Sequence, residues 1–320
     1  MNRKSVKLPA LGLIAVCMCF LPQLLNNTYY QQVLNNALIY TIVVLGLNFI
    51  TGLTGQMVLG MSGVFAIGAY VPAILLQKFG WTFLPCLLAV VFSGILVGVV
   101  IGFPCLRLKG IYLAICTMGF GEIVRICATN LDGITGGAIG LRDIGGIHVT
   151  KGIVLMGQKQ VWYVILAAFF LAVWFASKIH ESPIGMTLLS LKDNETASST
   201  LGIHVMSQKL KAFVMCCVFA AIAGMLYSAS TGYIAPTDFS YDMSVRYVMM
   251  LIIGGIGTVP GAIIGGITVT IIPEILRFAD NYYWLCFGAV TVLMVVLKPY
   301  GLYSVFKDVE GRLKKRKAAV

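Results

Sequence analysis

Apolar residues in this chain come in long unbroken blocks, not in the alternating pattern of half-buried strands. Blocks of spanning length fall near residues 8–25, 33–50, 56–76, 81–103, 111–129, 161–178, 209–230 and 282–298, and another apolar stretch runs over 245–276. A single helix over 245–276 would be about 48 Å long, well beyond a hydrocarbon core of roughly 30 Å. Its middle, Gly254-Gly255-Ile256-Gly257-Thr258-Val259-Pro260-Gly261, is also a poor helix interior. The pattern therefore predicts two short segments that meet at this turn, either two spans or a re-entrant pair. The expected fold is an all-α, polytopic transmembrane bundle of about ten segments, with residues 1–320 forming one transmembrane domain.

Composition agrees. Of the 320 residues 59% are hydrophobic and only 11% charged, too few charges to clothe a soluble protein of this size. The first block follows Met1-Asn2-Arg3-Lys4 without a convincing small-x-small cleavage site, so it reads as a retained first span. The net charge of +11 has no basic face with interleaved aromatics, which argues against nucleic acid and for topology. With a cytoplasmic N-terminus, the inside segments collect Arg3, Lys4, Lys7, Arg107, Lys109, Lys178, Lys192, Lys209, Lys211, Lys298 and the basic tail at 299–320. Splitting 245–276 makes the segment number even and keeps that tail inside. The long connection at about 130–160 is then extracytoplasmic and the one at about 179–208 cytoplasmic.

Nine cysteines, mostly within apolar blocks and without a C-x-x-C pair, read as small hydrophobes. His148, His180 and His204 lie far apart, so no metal site is expected. No Gly-Lys dipeptide exists, hence no phosphate-binding loop of the G-x-x-x-x-G-K-[ST] type. No catalytic constellation stands out, and any ATP would be bound by a partner.

Glycine clusters at Gly52, Gly55, Gly60, Gly63 and Gly68, with Gln56 and Ser62 among them, and again at Gly254, Gly255 and Gly257. Close helix packing is one explanation. The other is a translocation pathway lined by broken helices. Glu122 and Glu274 each have an arginine three residues on, Arg125 and Arg277, on the same helix face. These are ion pairs near helix ends, or a gate or docking point. Residues 186–201 contain no glycine or proline and have apolar positions at 188, 189, 191, 197 and 201. That suits one short amphipathic helix stopped by Gly202, which docks on another protein or lies on the membrane surface.

These segments, in order, resemble the longer of the two paired permease types of ABC importers for branched-chain amino acids. The resemblance is carried by Gly46 to Gln56, Gly68-Ala69-Tyr70, Leu106 to Tyr112, Gly119 to Arg125, Thr135-Gly136-Gly137, Lys192 to Ile203, and Gly254 to Ala262. It implies that Asp193, Asn194, Glu195, Ala197 and Gly202 belong to the segment contacting the ATPase subunit. It also implies a second homologous permease, two ATPases that hold ATP and magnesium, an extracytoplasmic solute-binding protein, and a bacterial inner-membrane location. Where relatives often carry S-L-G-H, this chain has Val58-Leu59-Gly60-Met61, and related permeases import urea or short amides. An ion-coupled secondary transporter would need more mid-membrane acidic residues than this chain offers. An intramembrane enzyme or a receptor fits less well, for want of a catalytic set and because of the broken segments.

Overall fold

The computed structural model describes residues 27–108, 110–142, 144, 147–150, 153–155, 158–275, 288, 292 and 301–303. The expected spans at 8–25 and 282–298, together with Arg277 and the basic tail, lie outside the described residues, apart from isolated positions.

Six described helices are long and apolar enough to cross a membrane. They are α1 (Thr28–Leu47, continued by a π-helical turn over Asn48–Gly52), α2 (Met61–Phe79), α3 (Phe83–Cys105), α4 (Ile111–Asn130), α6 (Gln158–Glu181) and α9 (Val205–Thr231). Each covers one predicted block. The short α5 (Asp132–Thr135) follows α4, and α7 (Pro183–Asp193) and α8 (Glu195–Thr200) follow α6. The 245–276 stretch is divided as its length required, into α10 (Tyr241–Gly254) and α11 (Val259–Ile275). At 1.5 Å per residue these reach only about 21 and 26 Å, each less than the hydrocarbon thickness.

The two short helices form a hairpin held by glycine. A methyl group added at Gly265 would lie 1.8 Å from the Met250 carbonyl oxygen, and one at Gly254 would lie 2.0 Å from that of Gly261. Gly257 closes the turn at φ +81°, a left-handed conformation that a side chain disfavours.

Helix α9 is the hub and packs against α1, α2 and α3. Lipid offers little hydrophobic drive for helix association, so close backbone approach carries the contact. Gly94, Gly98 and Gly102 form a stripe on α3 that lies against Val214, Val218 and Phe213 of α9. The opposite side of α3 presents Leu84, Leu88, Phe92, Val99 and Phe103 outward, as a lipid-facing surface does. Tyr40, Phe65, Tyr227, Phe239 and Tyr247 stack in the centre and join α1, α2, α9, the 3-10 turn Pro236–Phe239 and α10.

The connections sort to two ends. One gathers the π-turn, the α3–α4 turn, residues 179–205 and the α10–α11 turn. The other holds Asn27, the α2–α3 turn, the described residues between 130 and 155, and the α9–α10 connection. At that second end Leu141 pairs with Ile234 in an isolated antiparallel bridge. There too the all-α expectation acquires a small addition, a hairpin of β1 (Ile147–Thr150) and β2 (Ile153–Leu155).

Candidate functional site: the coupling end and the α4 ion pair

The expected single helix over 186–201 is instead two. Ser182 caps α7 by accepting the Gly185 N–H, with Pro183 in the first turn, where its missing N–H costs nothing. Asn194 then leaves the helix with φ −161° and ψ 107°. Its Oδ1 accepts the Ala197 N–H at 3.0 Å, so it caps α8. Asparagine side chains compete with the helix in this way, and that is the reason for the break. Gly202 ends α8 at φ +83°, the stop that the sequence implied, and its N–H donates to the Ser199 carbonyl at 3.1 Å. Proline at 202 would lose that hydrogen bond and cannot take positive φ. The Gly202→Pro chain is therefore expected to insert normally but to lose at least nine-tenths of transport, as measured by uptake alongside membrane-fraction immunoblotting. Uptake within twofold of the parent would count against a role for this turn.

The inner face of these helices is pinned by polar contacts. Glu195 Oε1 accepts from Lys209 Nζ at 2.5 Å and from Gln56 Nε2 at 3.1 Å. Lys209, on α9, is only 3% exposed, so its ammonium has exchanged water for this carboxylate. Lys192 Nζ donates to the Gly52 carbonyl at 3.1 Å, and Gly55 packs on its stem. Deeper in, the Gly257 N–H donates to Asn48 Oδ1 and its carbonyl meets His180 Nε2, both at 2.9 Å. Gly52, Gly55, Gln56 and Gly257 thus meet Glu195 and Lys192 in one cluster. The spans and the α7–α8 pair are tied together through the π-turn, and such turns recur at functional sites.

The outer face is open. Asp193, Asn194, Ala197 and Gly202 are exposed, as are the apolar side chains of Ile184, Met186 and Leu189. Leu201 is 81% exposed at the tip. This short pair of helices thus combines a pinned underside with uncovered apolar side chains on its other face.

Other singled-out residues lie elsewhere. A methyl at Gly60 would lie 2.1 Å from the Thr117 carbonyl oxygen, so Gly60 seats the start of α2 on α4. Ser62 and Ser244 are buried and bonded, with the Ser62 N–H and hydroxyl 2.9 and 2.8 Å from Ser244 Oγ. Gly254 and Gly255 belong to the α10–α11 hairpin. Packing thus accounts for Gly60 and Gly254.

Glu122 and Arg125 are paired, with Arg125 Nε 2.9 and 3.1 Å from the two carboxylate oxygens. Glu122 is about 16 Å from the start of α4 and about 12 Å from its end, while Arg125 lies about 8 Å from that end. Glu274 does lie at the end of α11, where Tyr29 donates its hydroxyl hydrogen to Glu274 Oε1. Sequence reading treated Lys209 only as a topology marker and overlooked Asn48 and the Gly94–Gly98–Gly102 stripe. The four-residue spacing of those glycines was the available signal.

Among the described residues, no group of three or more His, Cys, Asp or Glu side chains is placed to hold a metal ion.

Comparison with known proteins gives a consistent answer. The family described as "Branched-chain amino acid transport system / permease component" matches residues 29–297. The High-affinity branched-chain amino acid transport system permease protein LivM of Escherichia coli (strain K12) is 34% identical over 287 residues, spanning 83% of this chain and 68% of that protein. The Probable branched-chain amino acid transport permease protein LivM of Methanocaldococcus jannaschii is 28% identical over 235 residues, 68% of this chain and 67% of the relative. The Ribose import permease protein RbsC of Haemophilus influenzae is 24% identical over 297 residues, 89% of each chain. No solved structure gives a significant match. On this match and the membrane-spanning helical bundle, the chain belongs to the permease component family of branched-chain amino acid transport systems.

Proposed function

We propose that this chain is one membrane-spanning half of an ABC importer that carries leucine, isoleucine and valine into a bacterial cell. The second half is a homologous permease, an extracytoplasmic protein delivers the amino acid, and two ATPases bind ATP and magnesium outside this chain. The observation that carries the reading is the α7–α8 platform, whose exposed apolar tip faces out while Glu195 and Lys192 hold its underside to the spans. The platform end is cytoplasmic, with both chain termini on that side, in keeping with the lysine and arginine bias. Movement of the ATPases on Leu201, Met186 and Leu189 tilts α7 and α8. The π-turn and the α10–α11 turn receive that motion directly, because Gly52, Gln56 and Gly257 are tied into the same cluster. The Gly52, Gly55, Gln56 and Gly257 group then serves as the inner gate of the pathway.

Purification of the tagged chain in mild detergent, followed by mass spectrometry, is the direct test. A nucleotide-binding subunit and a second permease are expected in roughly matched amounts, with leucine uptake in cells that make the whole set. A chain stable alone and active without ATP would overturn the reading in favour of ion coupling. Urea or acetamide uptake in place of leucine would keep the transporter and change its cargo.

A further inference from the structure

Helix α4 has two distinct sides. Leu113, Ala114, Thr117, Gly121 and Ala128 are buried, while Ile115, Gly119, Ile123 and Ile126 form an exposed stripe along the other face. The Glu122–Arg125 pair lies on that stripe, with Glu122 near the middle of a helix of spanning length and Arg125 about 8 Å from its end. Its side chains remain 38% and 32% exposed. Ionised groups at such depth do not face hydrocarbon; they face water, protein or cargo. The pair is also only partly satisfied. Arg125 uses Nε and Nη2 on Glu122, leaving Nη1 free among the described residues. Beside it Gly119 is open, with no atom within 4 Å of where a Cβ would stand.

From this geometry we infer that Glu122 and Arg125 form a polar station in the transport pathway, at which a zwitterionic α-amino acid pauses on its way through the membrane. Arg125 Nη1 donates to the α-carboxylate and Glu122 accepts from the α-ammonium, while Ile115, Ile123 and Ile126 flank the aliphatic side chain. A fixed pair of opposite charges matches a zwitterion in sign and spacing and adds no net charge to the passage. The salt bridge need not break, because the free guanidinium nitrogen and the remaining carboxylate lone pairs suffice. The α4 stripe then borders a water-filled cleft against the second permease, not a dry contact. This inference rests on the importer reading above, and its failure is separable from the failure of that reading.

The test uses cells in which the complete transporter is the sole route for radiolabelled leucine. Uptake by the parent complex is the control: its absence would sink the importer reading itself. In the Glu122→Gln/Arg125→Gln double variant the maximum uptake rate is expected to fall at least tenfold. The complex should still co-purify, and its ATP hydrolysis should stay within twofold of the parent. Uptake within twofold of the parent would overturn the station, because a merely structural pair tolerates two neutral, hydrogen-bonding replacements. A second measurement stands whether or not that variant assembles. Gly119→Cys, in a Cys116→Ser/Cys127→Ser background, is expected to react with a charged, membrane-impermeant thiosulfonate in the assembled transporter. A thiol that stays unmodified would mean a dry face and would equally overturn the inference.

Discussion

Replacing Glu195 with lysine is expected to abolish leucine uptake while leaving the chain in the membrane. Lys209 is 3% exposed and lies 2.5 Å from Glu195 Oε1, its only anionic partner among the described residues. The new side chain would bring a second ammonium against a first that has no water to retreat into. Removing one member of a buried ion pair costs on the order of 3–5 kcal/mol. The Glu195 side chain is still 29% exposed, which places the effect at the low end of that range. Gln56 would lose its acceptor too, so α8 would separate from the segment that follows the π-turn as well as from α9. The six long spans do not depend on this contact for insertion, so the chain should remain in the membrane fraction at near-parental levels. Glu195→Gln keeps an acceptor and should retain part of the activity. The exchange Glu195→Lys/Lys209→Glu should restore more than either single change. Parental uptake by Glu195→Lys would remove the platform from the coupling mechanism.

How far the sequence alone predicts this site depends on the range of each interaction. The division of 245–276 was readable because a helix length and a bilayer thickness are incompatible, and because Gly257 and Pro260 indicate where the chain turns. Gly202 was readable because a stop after an apolar-periodic run needs positive φ. The break at Asn194 was not. Whether that side chain extends α7 or caps α8 is decided by neighbours such as Ser198, whose hydroxyl donates to the carbonyls of Ser190 and Asn194. Longer-range contacts leave no local trace. Glu195 and Gln56 are 139 residues apart, and Gly257 and Asn48 are 209 apart. Glycine density in the sequence fits either a pathway or a contact, and only the atoms opposite each glycine separate the two. Gly60 and Gly254 face backbone, and so in the main does Gly257, whereas Gly55 lies beside the Lys192 stem. The depth of Glu122 was legible in principle, since α4 ran from 111 to about 129 on either reading. Its exposure on the open stripe was not.

Gly224→Val is expected to be the most damaging change in the transmembrane core. Gly224 on α9 and Gly68 on α2 face one another across a backbone-to-backbone crossing. A Cβ at 224 would lie 2.1 Å from the Phe65 carbonyl oxygen and 2.8 Å from the Ala69 nitrogen. One at Gly68 would lie 2.2 Å from the Ala221 carbonyl oxygen. These neighbours are main-chain atoms of two helices that cannot rotate aside as a side chain does. Valine must therefore push α2 and α9 apart. Because α9 also packs on α1 and α3, the displacement spreads through the bundle. Overpacking typically costs about 1–3 kcal/mol where side chains yield, and here the yielding element is a helix, so about 3 kcal/mol or more is expected. Lipid does not resist the separation, because the opened surfaces are as content against acyl chains as against each other. The Tyr40–Phe65–Tyr227 stack lies one turn from the crossing and would open with it. Monodisperse yield in detergent and the thermal midpoint read the effect directly, with Gly133→Ala as the control. No atom lies within 4 Å of where the Gly133 Cβ would stand. A Gly224→Val midpoint within about 1 °C of the parent, well under the shift that even 1 kcal/mol produces, would show that α2 and α9 are not held at this crossing.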